Sequence, residues 1–175
     1  LEYNNENLNQ IWTYELTNKA VDLSMSSNGS RLVVTDSSSA YFFNATVDDE
    51  PDWTYDISTN RRITVDMSDD GRSILAAWGY YSGSHGGYTY AYYFSNFSSE
   101  PTWYHNGVFS RGYHGVAEVS ANGKYGTVAN AAANGYGPDW NLYDLSVTSS
   151  ASDSELWSKH EGGYKGLHGV EVTND

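Results

Sequence analysis

One repeat restricts this chain more than any other feature. Trp12, Trp53, Trp103 and Trp157 stand 41, 50 and 54 residues apart, each within a short strand-like stretch: QIWTYEL (Gln10–Leu16), PDWTYDI (Pro51–Ile57), PTWYHN (Pro101–Asn106) and ELWSKH (Glu155–His160). An alternating apolar run follows the first three and ends in Ser, a polar pair and Gly: AVDLSMSSNG (Ala20–Gly29), ITVDMSDDG (Ile63–Gly71) and GVAEVSANG (Gly115–Gly123). The last residues, GVEVTND (Gly169–Asp175), begin that run again. Between each turn glycine and the next Trp lie two more apolar stretches: RLVVTD and AYFFNA, then SILAAWG and YTYAYYF, then YGTVANA and WNLYDL.

Four short strands in fixed order, at a period of about 40 to 50 residues and without helical periodicity, are the signature of β-propeller blades. We letter them a to d, with a the run before the glycine and d the strand that carries the Trp. In strand a the pairs Leu23/Met25, Val65/Met67, Ala117/Val119 and Val170/Val172 are two residues apart, so each pair shares one face of its sheet. Burying those faces requires neighbouring units to stack. The expected fold is all-β: a leading d strand, complete blades over about 20–57, 62–106 and 114–160, and an incomplete blade over 167–175. This is an open arc of one partial propeller domain, with the missing blades as its natural partners.

The order P-x-W-x-Y, apolar strand, S-x-D/N-G and two further strands resembles the WD-repeat-like β-propellers, the group that includes quinoprotein-like and lactonase-like repeat proteins. The resemblance covers nearly the whole chain and implies the architecture; propellers host binding scaffolds and enzymes alike. No Gly-Lys-x-x-Trp docking motif is present, so no quinone cofactor is implied.

Composition narrows the partners. With 9 Lys plus Arg against 22 Asp plus Glu, the net charge is −13, whereas a nucleic-acid backbone needs clustered positive charge. Cysteine is absent, which excludes disulfides and thiolate metal sites. No apolar run is long enough to span a membrane. High Ser, Asn and Tyr with few Lys fit an extracellular or cell-surface protein.

In a four-stranded blade the b–c and d–a connections emerge on one side of the ring. On that side fall the Gly-rich stretches Gly79–Tyr88, Asn130–Trp140, His105–Gly115 and Lys159–Gly169, with all five histidines (His85, His105, His114, His160 and His168) in or beside them. Tyr and Trp in such loops supply flat contact area at low entropic cost, so the expected ligand-binding residues are Tyr80, Tyr81, His85, Tyr113, His114, Tyr136, Trp140, Tyr164 and His168. The same residue types also serve turn geometry and blade caps. No dense metal-ligand spacing joins the histidines.

Ser24, Asp66, Glu118 and Glu171 occupy one position of strand a in successive units. Strand a lines the central channel, so Asp66, Glu118 and Glu171 form a candidate acidic collar that would hold a bound cation, since adjacent carboxylates repel unless shared or solvated. The plainer reading is that each carboxylate bonds separately to backbone amides or to an arginine of the next blade. No cofactor is otherwise implied. Nucleophile elbows, phosphate loops and zinc-helix motifs are absent. The expected function is a non-enzymatic module that binds a protein or glycan through the b–c/d–a side; the alternatives are a propeller-type hydrolase or lyase using His85, His114 and Glu161 there, and a structural surface repeat.

Overall fold

The computed structural model describes residues 12–46, 49–57, 61–81, 87–110, 112–132, 139–160 and 172–173. Its construction begins with the Ser-x-Asx-Gly turn. Ser26 Oγ donates to Asn28 Oδ1 at 3.0 Å and accepts from the Arg31 N–H at 2.9 Å. Ser68 does the same with Asp70 and Ser73, at 2.7 and 3.0 Å, and Ser120 with Asn122 and Tyr125, at 2.8 and 2.9 Å. The glycine that closes each turn has φ of 70°, 72° and 69° at Gly29, Gly71 and Gly123, in the left-handed region that side chains disfavour. Ser and Asx cross-brace the hairpin, and Gly lets it reverse.

Each turn joins the first two strands of an antiparallel meander. The first sheet holds β1 (Asp22–Met25), β2 (Arg31–Thr35), β3 (Ser39–Asn44) and β4 (Trp53–Asp56) in that order. The second holds β5 (Ile63–Met67), β6 (Ser73–Tyr81), β7 (Gly87–Ser95) and β8 (Trp103–Ser110), and the third β9 (Gly112–Val119), β10 (Tyr125–Ala132), β11 (Asp139–Asp144) and β12 (Glu155–His160). The three a–d meanders form an open β-propeller segment. Strand registers align the sheets: Met25 pairs with Leu32, Met67 with Ile74 and Val119 with Gly126.

The seams between sheets repeat as faithfully as the turns. Trp12 lies 5.5 Å from Phe43, Trp53 5.2 Å from Phe94 and Trp103 5.1 Å from Tyr143, ring centre to ring centre. In each case the indole sits on strand c of the following sheet. Such pairs contribute about 0.5–1.5 kcal/mol beyond the area they bury. Toward the axis, Val65 and Met67 of β5 and Ala117 and Val119 of β9 are buried against the preceding sheet. One core cluster accordingly joins Val33, Phe42 and Trp53 to Ile63, Val65 and Phe94, and another joins Leu75, Tyr93 and Trp103 to Ala117, Val128 and Tyr143.

Leu23 and Met25 share a face as their spacing requires, and as an open arc implies for its end sheet they are 64 % and 57 % exposed, because their sister pairs are covered by a preceding sheet and none among the described residues precedes this one. Several other expectations need correction. Residues 12–16 are not in a strand, although Trp12 takes a d-strand Trp seat and its indole N–H donates to the Ala45 carbonyl at 3.1 Å. The stretch His105–Gly115 belongs largely to β8 and β9 rather than to a loop, and β6, β7, β10 and β11 likewise extend into the anticipated b–c loops. One short helical turn, α1 (Ala151–Ser154), precedes β12, capped by the Ser150 hydroxyl accepting the Asp153 N–H at 3.1 Å. The incomplete blade over 167–175 falls almost entirely outside the described residues.

Three glycine-to-alanine variants separate backbone strain from crowding. A Cβ at Gly29 meets nothing within 4 Å, one at Gly71 lies 2.9 Å from the Arg31 side chain, and one at Gly115 lies 2.8 Å from the Trp78 backbone nitrogen in the neighbouring sheet. We expect Gly29→Ala to cost about 1–2 kcal/mol from φ alone. Gly71→Ala should cost slightly more, because Arg31 can yield. Gly115→Ala has no positive φ but must push two sheets apart, and should cost roughly 1–3 kcal/mol as an overpacked site. Urea unfolding midpoints check these; no loss in Gly115→Ala would contradict the close approach of β9 to β6.

Candidate functional site: an aromatic wall and a polar seam

Sister positions in the three sheets isolate what the second sheet adds. In the first sheet the b–c connection is short, and Asp36 braces it by accepting from the N–H groups of Ser38 and Ser39 at 2.7 and 2.8 Å and from the Tyr41 hydroxyl at 3.0 Å. The Asp36 carboxyl sits below its usual range, because burial, which works the other way, is outweighed by these backbone and side-chain donors. The sister position in the second sheet is Trp78, stacked on Tyr90 with centroids 4.2 Å apart and planes 9° apart. Beyond this stack the hairpin continues, pairing Gly79 with Thr89, Tyr80 with Tyr88 and Tyr81 with Gly87. The second sheet thus carries a longer b–c hairpin, and Tyr88 upon it is 49 % exposed.

Farther along the same face, Tyr92 lies 5.9 Å from Tyr55 of β4 and 6.2 Å from Tyr104 of β8. Tyr55, Trp78 and Tyr92 are partly buried against the core, whereas Tyr104 is 62 % exposed. The outcome is a wall of aromatic rings that continues the core to the surface at the seam between the first two sheets. Burial pushes the Tyr55 hydroxyl up, with the Glu100 carboxylate, Tyr104 and Asp56 adding to it. Burial likewise pushes Tyr92 up. Both rings stay neutral phenols at physiological pH.

The seam between the second and third sheets has a different character. Where the preceding seam pairs Tyr55 with Phe94, this one pairs His105 with Tyr143, and His105 Nδ1 lies 2.9 Å from the Tyr143 hydroxyl. Beside them Asn141 Nδ2 donates to Glu155 Oε2 at 2.7 Å, while the buried Asn141 Oδ1 has no protein partner. Tyr143 is fully buried, and burial with the nearby Glu155 carboxylate drives its hydroxyl far up. A hydroxyl placed where Phe94 has none needs a partner, and His105 supplies it. Burial lowers the His105 imidazole, with Glu155 opposing.

The residues expected from sequence are distributed unevenly. Trp140 is half-buried on β11, 6.3 Å from Trp157 in an edge-on arrangement, with Lys159 Nζ 5.6 Å above its ring. Tyr80 and Tyr81 end β6, and Tyr113 and His114 fall within β9; their side chains lie outside what is described. His85, Tyr136, Tyr164, His168, Glu161 and Glu171 lie outside the described residues altogether. Sequence reasoning missed Trp78, Tyr90, Tyr92 and Tyr104, which it had assigned to strands; comparing sister positions would have flagged Trp78 opposite Asp36 and Tyr104 opposite Thr54.

Asp66 has a definite job. Its Oδ1 accepts from Ser24 Oγ at 2.8 Å and its Oδ2 from the Val119 N–H at 2.7 Å, while Ser24 Oγ accepts from the Met67 N–H at 3.2 Å. Strand a is the inner edge of each sheet, so its N–H groups lack ladder partners on that side. The preceding sheet supplies them. This is the separate-bond arrangement for Asp66. Among the described residues no three His, Asp or Glu side chains gather as a metal site.

No protein-family model matches the chain, and no curated protein matches it by sequence. Among 180 solved chains similar in fold, a crystal structure of the eukaryotic initiation factor superposes with a TM-score of 0.56 at 9 % identity. The match covers 85 % of this chain and 34 % of that one, so the chain spans about a third of its length. At such identity the likeness speaks for the fold alone. No helix among the described residues is long and apolar enough to cross a membrane.

The His105 seam gives a pH prediction. Its pKa is lower folded than unfolded, so below the ordinary value of 6.5 the unfolded chain binds more protons and stability falls as pH falls. We expect a loss of stability on acidification from pH 7 toward 5. Substituting the sister residues, His105→Tyr with Tyr143→Phe, should flatten the profile in that window when unfolding is followed by fluorescence; an unchanged slope would assign the effect elsewhere.

Proposed function

We propose that this chain is a non-enzymatic binding module, part of an exported or cell-surface propeller of the WD-repeat-like, quinoprotein-like kind, that recognises a protein or a glycan through its b–c/d–a side. One observation carries the reading: the second sheet prolongs its b–c hairpin beyond the first sheet's and dresses it with aromatic rings, among them the half-exposed Tyr88. Trp78 and Tyr90 replace the compact Asp36 brace, and Tyr88 stands half in solvent. Exposed apolar surface of this kind, rimmed by polar residues, marks interaction sites. Rigid aromatic side chains are well suited to it, because they lose little conformational entropy on binding.

The test is a panel of immobilised oligosaccharides and secreted-protein fragments, screened with wild type and with Tyr88→Ala. For any ligand found, we expect Tyr88→Ala to weaken binding by roughly tenfold, the loss of one well-placed aromatic contact. Gly29→Ala, which perturbs the opposite side of the sheets, should bind as wild type. Equal loss in both variants would place the ligand elsewhere or nowhere specific.

A further inference from the structure

Going beyond that reading, we propose that Tyr55, Tyr92 and Tyr104, with Glu100 of the c–d connection, form a site for an organic cation, an alkylammonium or guanidinium group, at the end of the seam away from the b–c hairpin. Tyr92 lies at the centre, with Tyr55 at 5.9 Å and planes inclined by 55°, and Tyr104 at 6.2 Å and 26°. Two of these positions recur in the sheet before: Tyr14 and Tyr41 stand 5.9 Å apart at 54°. The third does not. The residue paired with Tyr92 is Tyr104, whereas the residue paired with Tyr41 is Thr54 and with Asn141 is Ser158. Packing therefore accounts for two rings, and the third is an addition that remains 62 % exposed.

A ring face carries negative electrostatic potential and attracts a cation within about 6 Å of its centre. Glu100 stands in the connection that leads into β8, three residues before Trp103, and its carboxylate adds to what raises the Tyr55 hydroxyl. A chain of net charge −13 draws cations toward such a site. Anions and strongly acidic ligands are repelled by the same field. The chemistry is shared by a lysine or arginine side chain of a partner protein and by a choline-type headgroup.

The experiment titrates the intact chain with tetramethylammonium chloride, and in parallel with tert-butanol as a neutral group of similar size, following tyrosine ring resonances by NMR. Saturable shifts with the ammonium and none with the alcohol are expected. Tyr104→Ala should weaken binding roughly tenfold, Glu100→Gln by a lesser factor, and Tyr104→Phe should retain it, since the ring face and not the hydroxyl does the binding. Because Tyr104 is exposed, its variants are expected to fold, and Tyr104→Phe controls for the substitution itself. Equal responses to ammonium and alcohol, or undiminished binding by Tyr104→Ala, would overturn the proposal. Trilysine peptide and phosphocholine then distinguish the two sources, and binding of either supports the chemistry. A neutral oligosaccharide that binds and is lost with Tyr88→Ala, beside no response to tetramethylammonium, would overturn the cation site while leaving the binding-module reading intact.

Discussion

The seating of the Trp12, Trp53 and Trp103 indoles on strand c of the sheet that follows each is the contact on which the remaining structure depends. A single four-stranded meander has two apolar faces and cannot bury both by itself. Trp12, Trp53 and Trp103 solve this in the same way, each closing the outer half of a seam on Phe43, Phe94 or Tyr143. The inner half is closed by the alternating pair of strand a. Between them the seams fix the angle and spacing of the sheets, and so decide which side chains are left to face solvent.

Because the seams repeat, departures from the repeat carry meaning. Trp78 in place of Asp36, Tyr104 in place of Thr54, and the His105/Tyr143 pair in place of Tyr55/Phe94 change nothing in the strand order. They alter the chemistry at an unaltered position. The first two enrich a surface with rings, and the third introduces a buried polar contact into a seam otherwise sealed by aromatics. A polar pair there is less forgiving than rings, since both partners must be satisfied at once. The hydroxyl of Tyr143 and the ring nitrogen of His105 are therefore best regarded as one unit.

Much of the architecture was legible in the sequence because it is written in short local codes. Ser-x-Asx-Gly specifies the a–b hairpin through bonds within six residues, and the period-two alternation of Val65/Met67 and Ala117/Val119 names the buried face. Exposure of Leu23 and Met25 came from the blade count and not from the alternation, which says which residues share a face, whereas an open arc says that an end face lacks a covering sheet. The site was harder to find. Gly-rich stretches such as Gly79–Tyr88 read as loops, whereas ladder pairing carries the strands well into them. The wall formed by Tyr55, Tyr92 and Tyr104 joins residues nearly fifty positions apart, a proximity that only the seam creates. The acidic position of strand a was legible as a pattern, and the plainer of its two readings describes Asp66.

That position has a consequence for how the arc comes apart. Ser24 and Asp66 each lend an oxygen to an amide of the following sheet, and the two are themselves bonded, so a relay passes from the first sheet through the second to Val119 in the third. An amide whose acceptor belongs to a neighbour is shielded only while that neighbour stays in place. Slow isotope exchange at Met67 and Val119 would therefore report on the sheet before their own, and loosening at one end of the relay would be felt two sheets away.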